Sequence, residues 1–123
     1  MEVFELILIG DDVEQKSLLN LGIDYFQQRG YEIEHNIALE GSSGLLYLFD
    51  LLIKKGQETH PVLIKDWKRT VGVNMIINAD KASENTQLSR PIIISNKFSD
   101  HAKAYSNKRR ITLLTKKDLQ MKK

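Results

Sequence analysis

"HPVLIKDWKR", His60 to Arg69, begins like a buried strand and ends in charge. Pro61, Val62, Leu63 and Ile64 are apolar. Lys65, Asp66, Trp67, Lys68 and Arg69 follow without a break. A strand that finishes on an acid, an indole and three cations has an end that meets something other than core. Proline is tolerated at the first residue of a strand, so the strand is expected to start at Pro61. Just upstream, "LLYLFDLLI" (45–53) is a nearly continuous apolar run, the pattern of a central strand covered on both faces. It carries one acid, Asp50. "KKGQETH" (54–60) reads as the hairpin loop that lays the two strands side by side.

Outward from this pair, the elements alternate in type. Leu18, Leu19, Gly22, Ile23 and Phe26 recur at helical spacing within 13–29, and Gly30 stops that helix. Asp11 or Asp12 offers it an N-cap. "YEIEHNIAL" (31–39) sets Tyr31, Ile33 and His35 against Glu32 and Glu34, a half-buried strand. "EGSSG" (40–44) is a turn. Residues 71–84 read as a helix and "RPIIIS" (90–95) as a buried strand headed by a second proline. Ser95 or Asn96 can cap a helix over 97–110, with Phe98, Ala102 and Tyr105 in one stripe. "ITLLT" (111–115) is a last short strand. Residues 116–123 read as a basic tail, and 1–10 as a candidate extra strand. Helices on both sides of a mixed sheet make an α/β sandwich, and the 123 residues suit one domain.

Composition excludes several function classes. There is no cysteine, hence no disulfide framework, zinc–thiolate site or cysteine nucleophile. No apolar run is long enough to span a bilayer, and no signal-peptide pattern is present. A cytoplasmic protein without membrane contact is the expectation. Net charge is only +2, yet it is unevenly spread. Residues 1–40 carry nine acids against Lys16 and Arg29, a net −7, while residues 97–123 carry nine cations against Asp100 and Asp118, a net +7. The cationic end suits a polyanion, or it is a solvated tail balancing the acidic half. His35, His60 and His101 are scattered without ligand spacing. "GSSG" lacks the context of a nucleotide-binding loop.

The chemistry centres on Asp50, because a carboxylate within an apolar strand is costly unless compensated. The hairpin brings it near the Lys65–Lys68 end of its neighbour. Acids on two adjacent strands can hold Mg²⁺ through oxygen, the ion keeping waters and taking phosphate oxygens. A lysine beside them can orient or deprotonate water and offset transition-state charge. That is metal-assisted phosphodiester hydrolysis. The plainer alternative is a structural ion pair of Asp50 with Lys65 or Lys68. Trp67 reads as ordinary core.

The helix, the Gly-Ser-Ser-Gly turn, "LFD", "IKDWKR" followed by "TVGVN", and "NKFSDHAKAYSNKRRITLLTKKDL" together resemble the restriction-endonuclease-like nucleases of the PD-(D/E)xK superfamily. They are most similar to the Mrr-type and archaeal Holliday-junction-resolvase-like domains, over about residues 13–119. The resemblance implies a three-layer sandwich with a central mixed sheet. It implies a Mg²⁺- or Mn²⁺-dependent endonuclease acting on duplex or branched DNA, and a homodimer. Asp50 matches the metal-binding aspartate. The second motif can be laid down in two ways. As a bare D-x-K, Asp66 is the second metal acid and Lys68 the catalytic lysine. In the longer family pattern, Lys65 is the catalytic lysine and Leu63 stands where a metal-binding glutamate belongs. The two sets face opposite sides of a strand. The first-helix acid of many relatives has no clean match, Glu14 and Gln15 lying near its place. Ser42, Ser43, Arg69, Lys97, Lys103, Lys108, Arg109 and Arg110 are the expected DNA-backbone contacts, which position without reading sequence. The alternative is a relative that binds nucleic acid, or serves as a partner subunit, without cutting.

Overall fold

The computed structural model describes residues 17–121. Expectations for the strand at 3–9, the caps Asp11 and Asp12, and Glu14 and Gln15 lie outside the described residues. The first helix, α1, spans Leu18–Gln28, and β1 spans Glu32–Glu40. Next come β2 (Leu46–Lys55), β3 (Glu58–Lys65), α2 (Val73–Asn85), β4 (Ile92–Ser95), α3 (Asp100–Arg109), β5 (Thr112–Leu114) and α4 (Lys116–Gln120). The five strands lie side by side in chain order. β1–β2 and β2–β3 are antiparallel, β3–β4 and β4–β5 parallel. This is the mixed central sheet expected, in the expected order of elements, with one added helix.

Two apolar layers hold the sheet. On one face Leu18 and Phe26 of α1 and Leu119 of α4 pack on Leu51, Ile53, Val62, Ile92 and Ile94. On the other, Ile76 and Ala79 of α2 and Ala102 of α3 pack on Ile93, Phe98 and Ile111. α1 lies so close to the sheet that a Cβ at Gly22 would sit 3.0 Å from Ile94 Cδ1. Ser17 caps α1 by accepting from the Asn20 N–H at 3.2 Å. Gly30, at φ +87°, provides the left-handed residue that ends it.

Several boundaries differ from the sequence reading. β3 starts at Glu58, so Pro61 lies inside it, paired with Leu52. The Ile64 N–H points toward β2, so by alternation position 61 points its nitrogen toward β4, whose pairing begins only at Val62↔Ile92. No ladder bond is lost there. The hairpin loop shrinks accordingly to Gly56–Gln57. α3 is capped by Ser99, which accepts from the Ala102 N–H at 3.0 Å, not by Ser95 or Asn96. A bridge of Val71 with Phe98 prolongs parallel pairing beyond β4 and delays the helix. Residues 116–120 of the expected tail form α4, opened by a Thr115–Asp118 capping box. β2 is not covered throughout: Leu46 and Leu48 are 69% and 74% exposed.

Candidate active site

β1 and β2 change faces at one point. Leu51 belongs to the α1 layer, yet Phe49, two residues earlier, packs with Leu52 and Ala82 on the α2 side. Across the pair, Ile33 packs on the α1 layer and Ile37 on the α2 side. Residues two or four apart in a regular strand share a face, so both strands roll over between these positions. His35↔Leu51 and Ile37↔Phe49 remain paired, while Asn36 and Asp50 between them do not. Asn36 takes φ +48°, a left-handed value that asparagine tolerates better than most residues.

Here β2 also leaves β3, since their pairing stops at Leu51↔Val62. The departure would strand an N–H of β3. Asp50 Oδ2 accepts it, from Ile64 at 2.7 Å, a charge-assisted bond that offsets much of the cost of placing a carboxylate there. No ion pair forms at Asp50 among the described residues. Asp50 opens onto a cleft of about 310 Å³ lined also by Asn36, Ile37, Leu48, Phe49, Leu63 and Lys65.

Asp66 and Lys68 are elsewhere. Leu63 and Trp67 pack on the α2–α3 layer and Ile64 on the α1 layer. Asp66 follows Ile64 in alternation, and its Oδ2 accepts from the Leu18 N–H at 3.1 Å, at the start of α1. A carboxylate there satisfies a free helix donor and suits the positive end of the helix dipole. Asp66, Trp67 and Lys68 line a second cleft of about 510 Å³ with Ser17, Leu18, Asn96 and Lys116. Thus the structure brings together Asp50, Leu63 and Lys65, and does not bring Asp66 or Lys68 to them. Among the described residues no three His, Asp or Glu side chains are grouped to hold a metal ion.

The expected DNA contacts are also dispersed. Ser42 and Ser43 are exposed in the turn after β1, and the Ser42 N–H donates to the Asn85 carbonyl at 2.9 Å, at the far end of α2. Lys97, Lys103, Lys108 and Arg110 are exposed on or beside α3. Arg109 is engaged within the fold. Its Nε donates to Asp80 Oδ2 at 2.8 Å and its NH2 to Glu84 Oε2 at 2.8 Å, tying α3 to α2. Asp80 is buried and also accepts from the Tyr105 hydroxyl at 3.0 Å. The hydrogen bond and charge of Asp80 raise the Arg109 pKa. Burial, then Asp80, raise that of Tyr105. Asn36 has no counterpart in the sequence reading: it falls on the polar phase of the 31–39 alternation, after Glu32 and Glu34, so the pattern carries no mark of the rollover.

With this geometry in hand, the restriction endonuclease family profile, Mrr catalytic type, matches residues 11–121. The chain belongs to the Mrr-type restriction endonuclease family. Its restriction-endonuclease-like α/β fold is shared by the crystal structure of AF1548, a protein of unknown function, with a TM-score of 0.71 at 16% identity. The similarity covers 80% of this chain and 57% of AF1548. Among curated proteins none matches. Among the described residues no helix of this nuclease-family chain is long and apolar enough to cross a membrane.

Proposed function

We propose that this chain is a divalent-metal-dependent DNA endonuclease hydrolysing phosphodiester bonds, with Asp50 and Lys65 at its centre. The observation that carries the reading is that both residues line one open cleft where β2 splits from β3. The donors present fit a Mg²⁺ or Mn²⁺ ion sparsely. Asp50 has one oxygen engaged by Ile64 and a second without a partner among the described residues, and Asn36 adds an amide. Mg²⁺ is commonly held by one or two carboxylates with waters and substrate phosphates, so one acid suffices if DNA supplies the rest. Such an ion provides Lewis-acid stabilisation of phosphate charge and an activated water.

The chain's own residues do the remainder. The Ile64 N–H holds the Asp50 carboxylate in one orientation. Lys65 brings a positive charge to the same cleft, where it neutralises charge on the phosphate and orients the attacking water. Leu63 forms an apolar wall and leaves the site one acid short of the longer family pattern. Asp66 caps α1 in this reading, and Lys68 belongs to the second cleft. Arg69, Lys97, Lys103, Lys108 and Arg110 contact the DNA backbone, duplex or branched. A homodimer supplies the second site needed to cut both strands.

The test is nicking of supercoiled and branched DNA in Mg²⁺ or Mn²⁺ by wild type and Asp50→Asn. Wild-type cleavage lost in the variant, with binding retained, is expected. Equal trace activity in both sinks the proposal. Leu63 favours a second reading, in which the domain binds nucleic acid without cutting. That reading predicts no cleavage, and affinity falling steeply with salt through counterion release.

A further inference from the structure

We infer that Trp67 is a positioning residue: its indole face holds the ammonium of Lys65 and the guanidinium of Arg69 as a pair directed at one phosphodiester backbone. This rests on the reading of the Asp50 cleft as the reactive site. Lys65 Nζ lies 5.6 Å from the centre of the Trp67 ring and Arg69 Cζ only 4.0 Å from it. Both distances are within reach of a cation–π attraction, strongest for tryptophan. Neither cation has a carboxylate partner among the described residues. The ring is therefore what opposes their mutual repulsion and restricts their many rotamers.

The platform itself is held fast. The Trp67 carbonyl accepts from Asn96 Nδ2 at 2.9 Å, and the Lys65 carbonyl from Ser95 Oγ at 2.9 Å. Both pin the chain to the end of β4. Trp67 is half-buried and packs on the α2–α3 layer beside Leu63. Its Nε1 is buried without a hydrogen-bond partner among the described residues. The indole N–H therefore holds nothing in place, and the aromatic face is the part that acts. A phenylalanine would lose no hydrogen bond and would keep a π face, which separates positioning from mere filling of space.

Trp67 is the chain's one tryptophan, so its fluorescence reads the platform directly and without any activity. Two cations at the ring draw in iodide and repel caesium. Iodide quenching is expected to exceed caesium quenching about twofold or more in wild type, and the ratio to fall in Lys65→Met and again in Lys65→Met/Arg69→Met. An unchanged ratio in Lys65→Met overturns the inference. In cleavage assays Trp67→Phe is expected to retain most of kcat. Trp67→Leu is expected to lose about tenfold in kcat/KM, with kcat falling through Lys65 and KM rising through the Arg69 backbone contact. Equal loss in both variants, at equal melting temperature, assigns Trp67 to packing alone and overturns the inference. Absence of cleavage by wild type would instead defeat the nuclease reading, and the quenching ratio would still decide whether Trp67 holds the two cations.

Discussion

Leu63→Glu adds a second acid to the cleft and puts the proposed metal site to a quantitative test. Leu63 is half-buried and packs on both α2-side clusters. Full burial of a leucine is worth about 1.5–3 kcal/mol, and the glutamate stem retains part of that packing. The expected cost is therefore about 1 kcal/mol, or a fall of about 3–6 °C in melting temperature for a domain of this size. Against that, a carboxylate about 4 Å from a divalent ion at an effective dielectric of about 20 gains about 8 kcal/mol, most of which desolvation of the ion and of the new carboxylate takes back. Repulsion from Asp50 removes part of this gain, and the Lys65 charge competes for the new carboxylate. A net of about 1.4–2.8 kcal/mol remains, which is about a ten- to hundredfold gain in metal affinity. Calorimetric titration with Mn²⁺ in the absence of DNA measures it, and plasmid nicking against metal concentration measures its consequence. The expected result is binding that wild type lacks without DNA, and nicking at lower metal concentration. A variant that melts a few degrees lower but binds and cuts no better would refute the assignment of position 63 to the metal site.

Asp50→Asn keeps an oxygen for the Ile64 N–H and should melt within about 1 kcal/mol of wild type while losing cleavage. Asp50→Ala leaves that N–H unsatisfied and should cost about 1–3 kcal/mol as well. Chemical denaturation of the two variants separates fold from chemistry, and equal stability would refute the role given to the hydrogen bond. Arg109→Ala should lower the melting temperature, because it leaves the buried Asp80 carboxylate short of its guanidinium. It should leave DNA affinity nearly unchanged, whereas Lys103→Ala/Lys108→Ala should weaken binding and flatten its salt dependence. The Tyr105 hydroxyl titrates above its ordinary 10.0 in the fold. The stability this contributes is complete below pH 10 and is lost as pH rises through the folded value. Urea midpoints of wild type should therefore fall more steeply above about pH 10 than those of Tyr105→Phe, and parallel curves would refute the linkage.

The order of strands and helices was legible because apolar period and glycine or proline punctuation are local signals. "LLYLFDLLI" and "HPVLIK" read as neighbouring strands, and they are. What could not be read locally was which side of the sheet each residue serves. The side of Lys65 relative to Asp50 depends on where β2 leaves β3 and on the rollover at Asn36 and Asp50. Neither leaves a mark in the 45–53 pattern. The same rollover explains why Leu46 and Leu48 of this largely apolar run are exposed: beyond Phe49 they lie outside the layer that covers Leu51 and Ile53. Arg109 looked like a DNA contact because its partners, Asp80 and Glu84, are 29 and 25 residues away. Asp66 looked like a metal ligand because D-x-K is compact, while its actual partner, Leu18 N–H, lies 48 residues distant.

The position of Asp50 follows from a constraint on the sheet rather than from the chemistry alone. A strand that leaves its neighbour exposes a backbone donor, and a donor in a half-buried cleft must be satisfied. Water could do so only if the cleft stayed wet, and a neutral side chain would do so less strongly than a carboxylate. An aspartate at the point of departure satisfies the donor with one oxygen and has a second to present. The split also opens the cleft into which that second oxygen and the end of β3 can both reach. On the proposed reading of the cleft, fold repair and site construction fall on one residue, and any substitution at position 50 perturbs both unless it keeps an acceptor. Lys65 is free of that constraint: no ladder partner on β2 depends on its side chain. On the inference drawn above, its placement rests instead on the indole two residues further along. Loss of Asp50 should therefore show in both stability and chemistry, while loss of Lys65 should show in chemistry with little change in melting temperature.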